Sequence, residues 1–172
     1  MLPIMLDLAT VKVVLVGEGA AYDQRRALLQ AAGDISGVAF YTSGDRPSRA
    51  ALEAAQVVFV AGLDDEESGG IARIVRGSGG LVNVEDVKPL CDFHVPSQVR
   101  RGDLVLTVST GGKSPGLARR LRRYLENLFG PEWAGRLDEL AEKRDDWRRQ
   151  GVDIAELGRR TDTYVEEKGW LK

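Results

Sequence analysis

The chain has one cysteine and one histidine in 172 residues. Cys91 therefore has no partner for an internal disulfide. With His94 as the only imidazole, no Cys/His set has the spacing of a metal site. A chain without disulfides suits a reducing cytoplasm. Long hydrophobic runs are also missing, and residues 1–7 (MLPIMLD) have neither a basic start nor an apolar stretch, so neither a signal peptide nor a membrane span is expected. Charge of one sign is missing too. The 24 Lys and Arg are offset by 26 Asp and Glu, for a net charge of −2, which leaves no basic surplus for general nucleic-acid binding. Low-complexity tracts are absent. A hydrophobic share of 43% and a charged share of 29% are ordinary for a folding chain about one domain long.

Short apolar, β-branched runs are present. Residues 11–16, 38–41, 57–61 and 104–109 read as buried strands, and 81–84 as a shorter fifth. Helical stretches lie between them at 23–32, 48–55 and 67–76, with Gly33 as a stop after the first. Strands alternating with helices imply a parallel sheet covered on both faces. After Gly112 the pattern changes to Arg- and Glu-rich amphipathic helices. Ser114 is placed to cap the first, Pro115 to begin it, and Gly130-Pro131 to end it; two more are expected at 132–149 and 153–167. The expected architecture is an α/β, Rossmann-like parallel sheet over residues 1–112 and a helical segment over 113–172.

The strand at 11–16 runs into Gly17-Glu18-Gly19-Ala20 and then a helix, the order of a dinucleotide-binding turn. Glycines there let the backbone turn sharply and bring its N–H groups, at the positive end of a helix, against a pyrophosphate. Gly17, Glu18, Gly19 and Ala20 are the candidate phosphate contacts. The same glycines would equally serve a tight βα turn with no ligand. Tyr22 stands where the fingerprint has a small residue. Thr42 and Ser43 occupy the end of the second strand, where a ribose contact is expected; Asp45 follows, and Arg46 would suit a 2′-phosphate.

The segment from Leu81 reads LVNVEDVKPLCDFHVPSQVRRGDLVLTVSTGGKSPGLARRLRRYLE. Asn83, Val84 and Asp86 form an N-V-x-D turn. Cys91, Asp92, Phe93 and Pro96 follow, and then Ser109, Thr110, Gly111, Gly112, Ser114 and Pro115. In this order and spacing the chain resembles the precorrin-2 dehydrogenase family, which includes the N-terminal part of siroheme synthase. The likeness extends from Leu2 to about Glu126 and implies a short opening strand over residues 2–8. The family usually has a third glycine in its turn, a small residue at the Tyr22 position and a longer second βα region than residues 34–56 allow.

The resemblance implies NAD-dependent oxidation of precorrin-2 to sirohydrochlorin, with a hydride passing to NAD and a proton to a base or solvent. It assigns catalysis to Asp86, a task that suits a carboxylate; a turn-capping role is the alternative. Asn83 and the turn made by Thr110, Gly111, Gly112, Lys113 and Ser114 are expected to orient the substrate. That turn also makes sense as an anion site of glycine N–H groups, hydroxyls and a lysine, or simply as a capped helix start. Arg100 and Arg101 could add a second clamp or form an exposed RRGD turn.

Some relatives also insert iron. His94 in its apolar frame reads as a packed residue rather than a ligand, and Cys91 as a small buried hydrophobe. The family uses its post-sheet helices to form a homodimer, and Trp133, Trp147 and Trp170 are expected to supply apolar contact surface. The rival readings are a non-catalytic tetrapyrrole-binding relative, its nucleotide pocket closed by Tyr22 and the short second βα unit, and a generic nucleotide-dependent oxidoreductase.

Overall fold

The computed structural model describes residues 1–171. The chain divides into two compact units, Met1–Val95 and Pro96–Lys172. In the first, strands β1 (Val13–Gly17), β2 (Val38–Tyr41), β3 (Val57–Ala61) and β4 (Leu81–Val84) form a parallel sheet in the order β2-β1-β3-β4. Helix α1 (Gly19–Gln30) joins β1 to β2, α2 (Arg49–Ala54) crosses from β2 to β3, and α3 (Asp65–Gly77) joins β3 to β4. Strands β1 and β3 are buried along their whole length, which is why they read as continuous apolar runs.

Alternate residues serve opposite faces. Val14, Val16, Val58, Val60, Val82 and Val84 pack with Leu52 of α2 and Ile71, Ala72 and Val75 of α3. Val13, Leu15, Val57 and Phe59 pack with Tyr22 and Leu29 of α1 and with Leu8. Each such valine or leucine contributes about 1.5–3 kcal/mol on full burial, so these two layers dominate the stability of the unit.

In the second unit, β5 (Ser97–Arg101) and β6 (Leu104–Val108) form an antiparallel hairpin. Helices α4 (Pro115–Leu128), α5 (Trp133–Arg149) and α6 (Ile154–Glu167) follow. Ser114 caps α4 by accepting from the Leu117 amide at 3.3 Å, as the sequence pattern predicts, and Asp153 caps α6 by accepting from the Glu156 amide at 2.8 Å. Glu139 of α5 accepts from the Tyr164 hydroxyl at 2.5 Å and from Lys168 Nζ at 2.6 Å, which ties α5 to α6. The Lys168 hydrogen bond, and then that of Tyr164, holds the Glu139 carboxyl below its usual value.

Three expectations are corrected. Residues 104–109 do not join the parallel sheet, because β6 pairs with the adjacent β5 across the Gly102-Asp103 turn; neighbouring strands with a two-residue connection form a hairpin. The boundary lies after Val95 rather than after Gly112, since the hairpin packs with α4. Residues 2–8 form no strand: Met1, Leu2, Ile4 and Met5 are exposed, and Leu8 alone of that stretch is buried.

Candidate active site

In a sheet of order β2-β1-β3-β4, the connections from β1 and β3 run in opposite directions. This makes the carboxyl ends of these two strands the place where a ligand crevice opens. Two glycines let the loops meet there. A Cβ on Gly17 would lie 1.8 Å from the Ala61 carbonyl oxygen, and one on Gly62 would lie 2.1 Å from that of Glu18. The Glu18 amide donates to Ala61 at 3.0 Å and completes the join.

Gly19 differs. Its φ is 68°, it opens α1, and no atom lies within 4 Å of where its Cβ would stand. The start of α1 is exposed and has no side-chain cap, since Glu18 makes no capping bond. This combination fits an incoming pyrophosphate. Ala20 is exposed beside it. Tyr22 is 4% exposed, with its ring in the core against β1 and β3, so it leaves the helix start open. The premise of a pocket closed by Tyr22 is therefore corrected: the bulky ring points into the core.

At the end of β2, Thr42 and Asp45 exchange backbone hydrogen bonds of 3.2 and 3.1 Å, and Thr42 and Ser43 are exposed in that turn. Arg46 is held in a forked ion pair with Glu67, Nε to Oε1 at 3.0 Å and Nη2 to Oε2 at 3.1 Å.

At the end of β4, Val84 to Val87 make a turn closed by the Val87 amide on the Val84 carbonyl. Asp86 is exposed in it with φ 61°, the one non-glycine positive φ among the described residues. The backbone closes this turn itself, so the carboxylate is not needed as a cap. Glu85, just before it, pairs with Arg25 of α1. Sequence reasoning missed that pair, because the two residues lie 60 positions apart.

Asn83 is 6% exposed, and its amide donates to the Phe93 carbonyl at 2.9 Å. It therefore anchors the chain that returns beside β4 rather than facing outward. Asp92 does similar work: its Oδ2 accepts from the Val82 amide at 2.9 Å, and its carboxylate pairs with Arg76. Burial pushes the Asp92 carboxyl up, but the Arg76 hydrogen bond, the Val82 amide and the Arg76 charge outweigh it and leave the group below its usual value. Cys91 is a free thiol of intermediate exposure packed against the core, and its Sγ donates to the Val84 carbonyl at 3.1 Å. His94 is exposed.

In the second unit, the turn before α4 is held from within. Thr110 Oγ1 accepts from the Ser114 amide at 3.2 Å and donates to its carbonyl at 3.1 Å, and the Gly111 amide donates to Ser109 Oγ at 3.2 Å. Gly111 and Gly112 have φ of 60° and 78°, which keeps the loop tight. Gly111, Gly112 and Lys113 are exposed, but the Gly111 and Lys113 amides donate within the turn, to Ser109 Oγ and to the Thr110 carbonyl, so the groups left for a ligand are the Gly112 amide and the lysine side chain. Arg101 does not form a clamp: it donates to the Phe129 and Glu126 carbonyls at the end of α4, at 2.8 and 3.1 Å.

The sheet order and the glycine turn define the first unit as a dinucleotide-binding α/β domain. A family model described as NAD(P)-binding matches residues 4–97, and one for the central region of sirohaem biosynthesis proteins matches residues 101–128. The chain is 32% identical over 156 residues to a siroheme synthase of Nitrosococcus oceani, covering 81% of this chain and 33% of that protein. It is 35% identical to siroheme synthase 1 of Pectobacterium atrosepticum, over 81% of this chain and 32% of that one. A precorrin-2 dehydrogenase of Methanosarcina barkeri is 29% identical over 81% of this chain and 72% of its own length. The solved structure of SirC, a precorrin-2 dehydrogenase, shares the fold with a TM-score of 0.74 at 21% identity, covering all of this chain and 93% of that one. The chain belongs to the precorrin-2 dehydrogenase and siroheme synthase family, and it spans about a third of the length of the siroheme synthases it matches.

Proposed function

We propose that the chain oxidises precorrin-2 to sirohydrochlorin with NAD. The observation that carries this reading is the exposed Asp86 on the same sheet edge as the uncapped start of α1 at Gly19, in a chain whose relatives bear these names. The amides of Gly19 and Ala20 bind the pyrophosphate, with Gly17 and Glu18 shaping the turn and Thr42 and Ser43 at the ribose end. NAD, when bound, supplies the hydride acceptor. Asp86 takes the proton that leaves the macrocycle as its new double bond forms. In the second unit, Gly112 and Lys113 bind substrate carboxylates, with Thr110, Gly111 and Ser114 shaping the turn. Asn83 supports the strand end that carries Asp86.

NAD is favoured over NADP because Glu67 already engages the Arg46 guanidinium, the cation a 2′-phosphate would use. Iron insertion stands outside the proposal; among the described residues no three His, Cys, Asp or Glu side chains form a metal-ligand set. The C-terminal helices serve in homodimer formation. The exposed stripe of Leu117, Leu121, Tyr124 and Leu128 on α4 supports the dimer. No helix among the described residues is long and apolar enough to cross a membrane, and the free thiol of Cys91 supports a reducing cytoplasm.

The test is calorimetric titration with NAD and then NADP, followed by precorrin-2 oxidation by the native protein and by Asp86→Ala. Saturable NAD binding and an Asp86→Ala variant that binds the tetrapyrrole without turning it over are expected. A folded protein that binds neither nucleotide would rule out the redox reading.

A further inference from the structure

Arg25 is an expensive residue where it stands. Its side chain is 11% exposed, its Cζ lies 5.2 Å from the centre of the Phe59 ring, and Phe59 in turn meets Phe93 edge-on at 5.3 Å. Its Nη2 donates to Glu85 Oε2, while Nη1 is buried with no hydrogen-bond partner. A charge held against aromatic rings with one donor unsatisfied loses more hydration than a surface pair, and apolar replacement of such pairs is often neutral or stabilising. Packing alone does not account for it.

The two ends of the pair suggest a role. Arg25 sits in α1, the helix that starts uncapped at Gly19. Glu85 directly precedes Asp86, and its own amide donates to the Val60 carbonyl at 2.9 Å. Glu85 is thus gripped from two sides, by β3 through its backbone and by α1 through its carboxylate. The next residue is the one held at φ 61°.

We infer that the Arg25–Glu85 pair is a positioning device that fixes the Asp86 turn relative to the helix that receives the nucleotide. The inference rests on the reading of Asp86 as the proton acceptor. Arg25 itself touches neither ligand, since its free nitrogen is closed off from solvent. It acts through Glu85 on the orientation of the neighbouring carboxylate, and a misaimed base slows the chemical step without weakening substrate binding.

The test replaces both partners, Arg25→Met with Glu85→Leu, so that no lone buried charge remains. The double variant is expected to melt at or above the native temperature and to bind NAD with unchanged affinity. Its kcat should fall at least tenfold, with KM for the tetrapyrrole within twofold of native. Native kcat in the folded double variant would overturn the inference. If that variant does not fold, Glu85→Gln, which keeps the side-chain shape, is read by the same split: reduced kcat at native KM supports the inference and native kcat overturns it. Asp86→Asn, run alongside, separates the two ideas. Full turnover there removes the proton-acceptor reading, whereas an inactive Asp86→Asn beside a fully active double variant removes only the positioning role.

Discussion

Asp86 stands in the left-handed region, at a position glycine would occupy without strain, and its turn is closed by backbone alone. Asp86→Gly should therefore leave thermal stability unchanged or raise it by up to about 1 kcal/mol, while abolishing precorrin-2 oxidation. Calorimetric unfolding beside a turnover assay checks both halves, and an Asp86→Gly variant that still turns over would remove Asp86 from the chemistry. The two glycines of the first turn should behave differently from each other. Gly17→Ala drives a methyl group into the Ala61 carbonyl and should destabilise the protein by about 1–3 kcal/mol or more. Gly19→Ala meets open space, so its fold cost is confined to the positive φ, about 1 kcal/mol. Its larger effect should be weaker NAD binding, read by titration.

Asp92 works at the level of elements. Its carboxylate joins Arg76 near the end of α3 to the Val82 amide of β4, and its own amide returns to the Val82 carbonyl at 2.8 Å. Because its folded pKa lies below the unfolded value of about 3.9, the interaction stabilises fully above that value and is lost as pH falls through the lower, folded pKa. Asp92→Asn should cost about 1–3 kcal/mol at neutral pH and flatten the fall in stability on the acid side below about pH 4. Urea unfolding at pH 7 and at pH 3 measures the difference, and an unchanged acid slope would count against this assignment.

At the scale of the whole molecule, the main question is what covers α4. Leu117, Leu121, Tyr124 and Leu128 recur at four- and three-residue spacing and are 41–64% exposed. The tryptophans, expected to serve association, instead pack internally: Trp133 meets Phe129 and Trp170, and Trp147 meets Tyr164. The dimer surface proposed is therefore the α4 stripe alone. Leu121→Glu with Tyr124→Glu should sediment as a folded monomer where the native chain sediments as a dimer, and a native monomer would remove the proposal.

The runs of β1 to β4 and β6, the helices, the Ser114 cap and the glycine turn were legible in the sequence, because each depends on local chemistry; the polar β5 was not, and Asp86 was marked only by the family resemblance. A β-branched run, a serine ahead of a proline or a glycine needing positive φ leaves its mark within a few residues. What depends on pairing at a distance was decided only in three dimensions. The β6 run could not show that its partner was the adjacent β5 rather than the parallel sheet, nor Tyr22 that its ring turns into the core. Asn83 read as a substrate contact, and Arg101 as a clamp or an exposed turn, until their partners, the Phe93 carbonyl and the last carbonyls of α4, appeared. Arg25 and Glu85 lie 60 residues apart, and nothing in either neighbourhood marks them as a pair. Local propensity writes the elements into the sequence, whereas burial and charge pairing exist only once distant segments meet.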